Sequence, residues 1–136
     1  MRIILDGMGG DNAPAAVVEG AVIASKDIEH EIVIIGQEEL INQELKKYKY
    51  NNEKITVADA REVITNDEAP VRAVRSKKDS SIVKGINMIK QGEGDIFISA
   101  GSTGALLSGG LFILGRIQGI DRPALASIYP IVGGEP

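Results

Sequence analysis

Cysteine is absent from all 136 residues, which removes disulfides, thiolate metal sites and a cysteine nucleophile from consideration. Tryptophan is absent too, and the aromatic residues amount to two Phe and three Tyr. Surfaces that stack nucleobases draw on more rings than this. A formal net charge of −4 gives no general attraction to nucleic acid or anionic lipid, so any anion site must be a local arrangement. The one histidine, His30, sits among acids ahead of an apolar run. A metal site would need carboxylates alone, and none cluster at ligand spacing. A serine hydrolase would need that same histidine as its base, and no GxSxG elbow is present. Long apolar runs are lacking as well. Ala105 to Leu114 is broken by Ser108, Gly109 and Gly110 and falls far short of the ~20 residues of a membrane span, so a buried helix is expected there. The opening Met1 to Leu5 meets Asp6 too soon for a signal peptide. A soluble cytoplasmic protein is the expectation.

What is present alternates short β-branched runs with longer helical ones. Arg2 to Leu5 reads as a strand leading into a Gly-rich loop, and Pro14 sits in the first turn of a helix over Ala15 to Ala24. Glu31 to Ile35 reads as a second strand closed by Gly36. Glu38 to Lys47 follows as an amphipathic helix with Leu40, Ile41 and Leu45 inward. Ile55 to Ala58 makes a third strand. Pro70 opens a helix over Val71 to Lys78, and Asp79 or Ser80 caps the next, Ser81 to Gln91, with Ile82, Ile86 and Ile89 inward. Asp95 to Ser99 reads as a buried strand and Thr103 to about Leu114 as a helix. Gly115 to Arg122 is a loop, and Pro123 to Ile131 begins a further strand. Alternation of this kind predicts a mostly parallel sheet covered on both faces, with ligands at the carboxyl ends of the strands. The chain stops soon after a strand with no helix to cover it, and truncation is the expectation.

Two strand-to-helix junctions could carry chemistry. In Asp6-Gly7-Met8-Gly9-Gly10-Asp11-Asn12-Ala13-Pro14, three glycines allow close backbone approach, and the following helix offers N–H groups. This is either a phosphate or substrate cradle or simply a tight turn. It narrowly misses a dinucleotide fingerprint, because Asn12 stands where the last glycine belongs. A nicotinamide-dependent dehydrogenase is further disfavoured by Gly36-Gln37, where an acid should end the second strand. In Ser99-Ala100-Gly101-Ser102-Thr103-Gly104-Ala105, hydroxyls and a helix N-terminus converge. That suits an oxyanion, or else an ordinary N-cap.

Arg72, Arg75, Lys77, Lys78 and Lys84 form a basic group that could steer an acidic partner. They read more simply as a solvated face partnered by Asp67, Glu68 and Asp79, with Lys78 the most interesting by its place between two helices. Arg116 and Arg122 flank Gly119-Ile120-Asp121 and could clamp phosphate or pair with Asp121 to hold the turn.

Four segments together resemble the phosphate acyltransferases of phospholipid synthesis. They are the Asp6 to Pro14 opening, Arg75-Ser76-Lys77-Lys78-Asp79-Ser80-Ser81, the Ser99 to Ala105 loop, and Gly115-Arg116-Ile117-Gln118-Gly119-Ile120-Asp121-Arg122-Pro123-Ala124-Leu125. The resemblance runs from Met1 to Pro136. Gly7 stands where the family usually has Ala, expected to be harmless in a turn, and Ser102 stands where Asn is usual.

Family members are more than twice as long, so the chain is expected to be a single α/β domain forming the N-terminal part of a longer enzyme. The resemblance implies a three-layer α/β/α sandwich like that of isopropylmalate dehydrogenase and phosphate acetyltransferase, usually as a homodimer. It implies transfer of a fatty acyl group from acyl carrier protein to inorganic phosphate, without cofactor or metal. The acyl phosphate would feed a membrane-bound glycerol-3-phosphate acyltransferase, with the enzyme loosely on the membrane and no nucleic acid involved. Catalytic groups are expected beyond Pro136. Phosphate can itself attack a thioester, so the protein's task is to hold the dianion and stabilise the developing oxyanion. On that view Gly101, Ser102, Thr103 and Gly104, with Ser99, cradle phosphate or the thioester oxygen. Asp6, Gly9 and Gly10 form the opposite wall, and Lys78, Arg116 and Arg122 supply charge or hold the walls. A non-catalytic phosphate- or acyl-binding module, or a phosphate acetyltransferase-like enzyme, remains the alternative.

Overall fold

The computed structural model describes residues 1–126. Its elements run β1 (Arg2–Asp6), α1 (Ala15–Asp27), β2 (Glu31–Gly36), α2 (Glu38–Leu45), β3 (Ile55–Asp59), α3 (Pro70–Ser76), α4 (Ser81–Lys90), β4 (Ile96–Ile98) and α5 (Thr103–Gly109). A π-helical turn over Gly110–Leu114 extends α5. The strands form one all-parallel sheet in the order β3-β2-β1-β4. β2 is buried at every position after Glu31, as expected for a strand covered on both faces.

Alternation along the strands sends side chains to two different cores. On one face Ile32, Ile34 and Ile55 pack with Val18, Ala21 and Val22 of α1 and Ile41 and Leu45 of α2. On the other, Ile4, Val33, Ile35 and Ala60 meet Met88 and Ile89 of α4. The sheet is therefore the middle of three layers, as the sequence predicts. A further core joins α3, α4 and α5 through Val74, Ile82, Val83, Ile86 and Ala105. Its helices come very close: Gly109 leaves just enough room for Ile86, and Gly85 for the ring of Phe97.

Four expectations change in the structure. Leu40 faces outward, because α2 presents one narrow apolar stripe that Ile41 and Leu45 already fill. β4 is short and half-exposed rather than buried, since it forms the edge of the described sheet and leaves Ile96 and Ile98 exposed. The Ala105 to Leu114 segment is buried only along one side; Phe112 and Leu114 are exposed. Gly7 is also tighter than a turn requires. A Cβ there would lie 2.8 Å from Ile34 Cγ2 and 2.9 Å from Ile41 Cδ1. Of the strand expected over 123–131, residues 123–126 have no regular structure, and the rest lies outside the described residues.

Candidate functional site

The chain moves from β1 outward through α1 to β2 and β3, then returns through α3 and α4 to place β4 on the other side of β1. β1 and β4 are thus neighbours from which the chain departs in opposite directions. Loops that diverge this way leave a crevice at the carboxyl ends of the strands. The two junctions singled out in the sequence are the loops that follow β1 and β4.

Asp6 ends β1 and is 1% exposed. Its Oδ1 accepts the Met8 N–H at 3.1 Å, and its Oδ2 accepts the Ser99 hydroxyl at 2.7 Å. Ser99 Oγ in turn accepts the Gly101 N–H at 3.0 Å. One continuous link therefore ties the β1 loop to the β4 loop, between residues 93 positions apart. Gly9 lies between them. A Cβ there would stand 2.6 Å from Asp6 Oδ2 and 2.7 Å from Gly101 N, so the requirement at Gly9 is space. At Gly10 the requirement is conformation, with φ +98°. Among the described residues, no Lys or Arg pairs with Asp6.

The donors differ from the expected set. In the first loop Gly7 N–H donates to Ile35 O (2.8 Å), Ala16 N–H to Asn12 O (3.0 Å) and Val18 N–H to Pro14 O (2.9 Å). The turn before α1 thus satisfies much of the helix start that was expected to face a ligand. In the second loop Ser102 is buried and caps α5, its Oγ accepting Ala105 N–H at 3.3 Å. The hydroxyl of Ser99 and the N–H of Gly101 are likewise engaged within the protein. Thr103 is exposed in the first turn of α5. The N–H groups of Thr103 and Gly104 precede the first i−4 carbonyl of that helix and point toward its start. Gly104 is closed on its far side by Pro70, the first residue of α3, whose Cγ would lie 2.7 Å from a Cβ. Sequence reasoning missed Pro70, and nothing local in Glu68-Ala69-Pro70 marks it.

The cations do not gather at this junction. Lys78 is exposed and donates to Val74 O at 3.3 Å, at the end of α3 remote from Pro70. Arg116 Nη1 donates to Asp121 O at 2.8 Å and so holds its own turn, through the backbone carbonyl. Thr103 to Leu114 is helical throughout, and twelve helical residues rise ~18 Å. Arg116 and the exposed Arg122 follow the far end of that helix from Ser102. Elsewhere Lys77 pairs with Glu68 at 2.6 Å and also reaches Val63 O, while Lys84 pairs with Asp79. The Lys77 hydrogen bond holds Glu68 below its ordinary value, and Lys84 does the same for Asp79. Arg75 lies 5.2 Å over the ring of Phe112, a cation–π contact between α3 and the π-helical turn. These pairs support the reading of the basic group as a solvated, partnered face. No group of three potential metal ligands occurs among the described residues.

The full chain, residues 1–136, matches the family described as Fatty acid synthesis protein. The chain belongs to that family. Its relatives include a protein named Phosphate acyltransferase from Clostridium kluyveri, 58% identical over 130 residues, or 96% of this chain and 39% of the relative. Proteins of the same name from Clostridium novyi and Clostridioides difficile are 56% and 51% identical, over 96% and 97% of this chain. The chain spans about 40% of the length of these curated relatives. The family and the relatives' names agree with the resemblance carried by the four motifs.

Proposed function

We propose that the protein transfers a fatty acyl group from acyl carrier protein to inorganic phosphate, releasing acyl phosphate for phospholipid synthesis. The observation that carries this reading is identity of 51–58% to proteins named Phosphate acyltransferase across nearly all of this chain. The geometry is compatible with it: two small-residue loops meet at the switch point of a parallel sheet, where this architecture binds ligands. In the reaction a phosphate oxygen attacks the thioester carbonyl carbon. The C–S bond then breaks, and the carrier's thiolate leaves and takes up a proton. The phosphate dianion must be held beside the carbonyl, and the carbonyl oxygen must meet donors as it gains charge.

The first turn of α5 supplies the anion side of this arrangement, through the N–H groups of Thr103 and Gly104 and the Thr103 hydroxyl. The helix dipole adds to their effect. Gly9 and Gly10 let the opposite loop approach. Ser102 acts by capping α5, and Lys78, Arg116 and Arg122 lie away from the junction. The remaining parts of the reading come from the family resemblance: a homodimer, a cytoplasmic enzyme in loose contact with the membrane, and a membrane glycerol-3-phosphate acyltransferase as consumer of the product.

The test is phosphate-dependent formation of acyl phosphate from acyl carrier protein, by this chain and by the complete reading frame. Turnover with acyl-coenzyme A alone would favour a phosphate acetyltransferase-like enzyme. Phosphate binding without turnover by either chain would favour a binding module. Replacing Thr103 by Val should raise the phosphate KM while the fold stays intact. An unchanged KM would remove Thr103 from the site.

A further inference from the structure

The order of the strands decides which face each connection covers. β1 to β2 and β2 to β3 run in one direction across the sheet, and α1 and α2 both lie on the face of Ile32 and Ile34. The return from β3 to β4 runs the opposite way. Parallel connections are right-handed, so its helices belong on the other face, and α4 lies there against Ile4, Val33 and Ile35. α5 leaves β4 and packs with α4 on that same side, Ala105 joining Ile86 with Phe97 beside them. Among the described residues, none of these connections covers the α1 side of β4. An apolar trough of about 330 Å³ lies there between α1 and the sheet edge. Its floor is Ile3, Leu5 and Ile98, and its wall is the flank of α1 at Ala16, Val17 and Ala24. Ile98 is 45% exposed, and Ile96, on the same side of β4 by alternation, is 41% exposed. Asp6 and Ser99 stand at one end of the trough, which therefore borders the link between the two loops.

A parallel sheet keeps both of its faces under helices. Residues 127–136 contain Pro130, Gly133, Gly134 and Pro136, and their sequence is not that of a helix. The chain spans about 40% of the length of its curated relatives, so the larger part of the complete enzyme remains to supply one. We infer that the trough between α1 and β4 seats an amphipathic helix from the part of the complete enzyme that this chain does not include. The helix presents large apolar side chains at i, i+3 or i+4 and i+7 to the floor, where the short Ala16 and Ala24 leave room beside α1. Its polar side faces solvent. Seated there, it holds β4 against β1 and fixes the separation of the loops that Asp6 and Ser99 join. The candidate site is finished only when that helix is in place. This inference rests on topology and length and is independent of the acyl-transfer reading.

Because residues 1–136 hold no cysteine, thiol labelling tests this directly in the complete enzyme. Ile98→Cys and Ala24→Cys report on the trough, Glu39→Cys on the exposed side of α2 serves as the reference, and the unsubstituted enzyme gives the background. With no substrate present, N-ethylmaleimide should modify the two trough thiols at least about a hundredfold more slowly than the reference, because the reagent must wait for local opening. A benzophenone maleimide on Ile23→Cys, exposed on α1 two turns from Ala16, identifies the covering element. Light should join it, within one polypeptide, to residues outside the 136 described by this sequence and spaced three or four apart. Trough thiols that react as fast as the reference would overturn the inference. Protection that develops only when a long-chain acyl thioester is added would also overturn it and make the trough a substrate pocket. Crosslinks confined to residues 1–136, or made to a second polypeptide, would overturn it in favour of a local cover or a second copy of the enzyme.

Discussion

Two glycine-to-alanine substitutions in the same chain should move stability in opposite directions. At Gly9 the added Cβ would lie 2.6 Å from Asp6 Oδ2 and 2.7 Å from Gly101 N. Ordinary contact begins near 3.4 Å, so each approach is short by roughly 0.7–0.8 Å. Neither neighbour can yield easily. The Asp6 carboxylate is buried and held by two hydrogen bonds, and Gly101 N belongs to the backbone and is bonded to Ser99. Relief must come from separating the β1 and β4 loops. Overpacking against rigid surroundings costs ~1–3 kcal/mol. At Gly20, in the exposed interior of α1, a Cβ meets nothing within 4 Å. Alanine there recovers up to ~1 kcal/mol of helix propensity. Urea unfolding at fixed slope should place Gly9→Ala below and Gly20→Ala above the parent, about 1–4 kcal/mol apart. Acyl phosphate formation should fall with Gly9→Ala even where the protein is fully folded. If Gly9→Ala matched the parent in both midpoint and activity, the contact between the loops described here would be wrong.

Other consequences follow from the same contacts. Placing alanine at Gly7 should cost ~1–2 kcal/mol, because its Cβ would crowd Ile34 Cγ2 and Ile41 Cδ1, side-chain ends that can partly move aside; a stabilised Gly7→Ala protein in urea would contradict this. Ser80→Ala should lose about 1 kcal/mol, since the buried Ser80 hydroxyl caps α4 at Val83 N–H and donates to Lys77 O at 2.8 Å; midpoints of the two proteins that coincide would remove the cap. Lys77 keeps Glu68 ionised below its ordinary value of 4.5, so its contribution is complete above about that pH and is lost as the pH falls through the lowered value. The stability difference between the parent and Glu68→Gln should therefore be constant near neutrality and shrink on acidification, and a difference that widens in acid would refute the pairing.

Local patterns carried most of the architecture. The β-branched runs at Arg2 to Leu5, Glu31 to Ile35 and Ile55 to Ala58 became strands within a residue of where they were read, because each is bounded by glycine, acid or turn residues. Ser80 was legible as a cap for the same reason. What failed depended on neighbours that periodicity does not encode. Ile96 and Ile98 are as apolar as Ile32 and Ile34, yet they stand at the edge of the described sheet and are exposed. Gly7 looked like a turn residue, but its backbone is pressed against Ile34 and Ile41, which lie 27 or more positions further along the chain.

The site divides along the same line. That two Gly- and Ser-rich junctions follow strands is visible in sequence; that they face each other follows from β4 pairing with β1 instead of β3. Only once that pairing is known does Asp6 meet Ser99, and only then can the donors be apportioned. Three hydroxyls in Ser99 to Thr103 looked like surplus donors for an anion. Ser99 and Ser102 turn out to be committed to Asp6 and to Ala105, and Thr103 is the one left exposed. A loop's composition states how many polar groups are available. Its hydrogen bonds state how many remain for a ligand, and here that difference moves the expected anion contact from the whole loop to the first turn of α5.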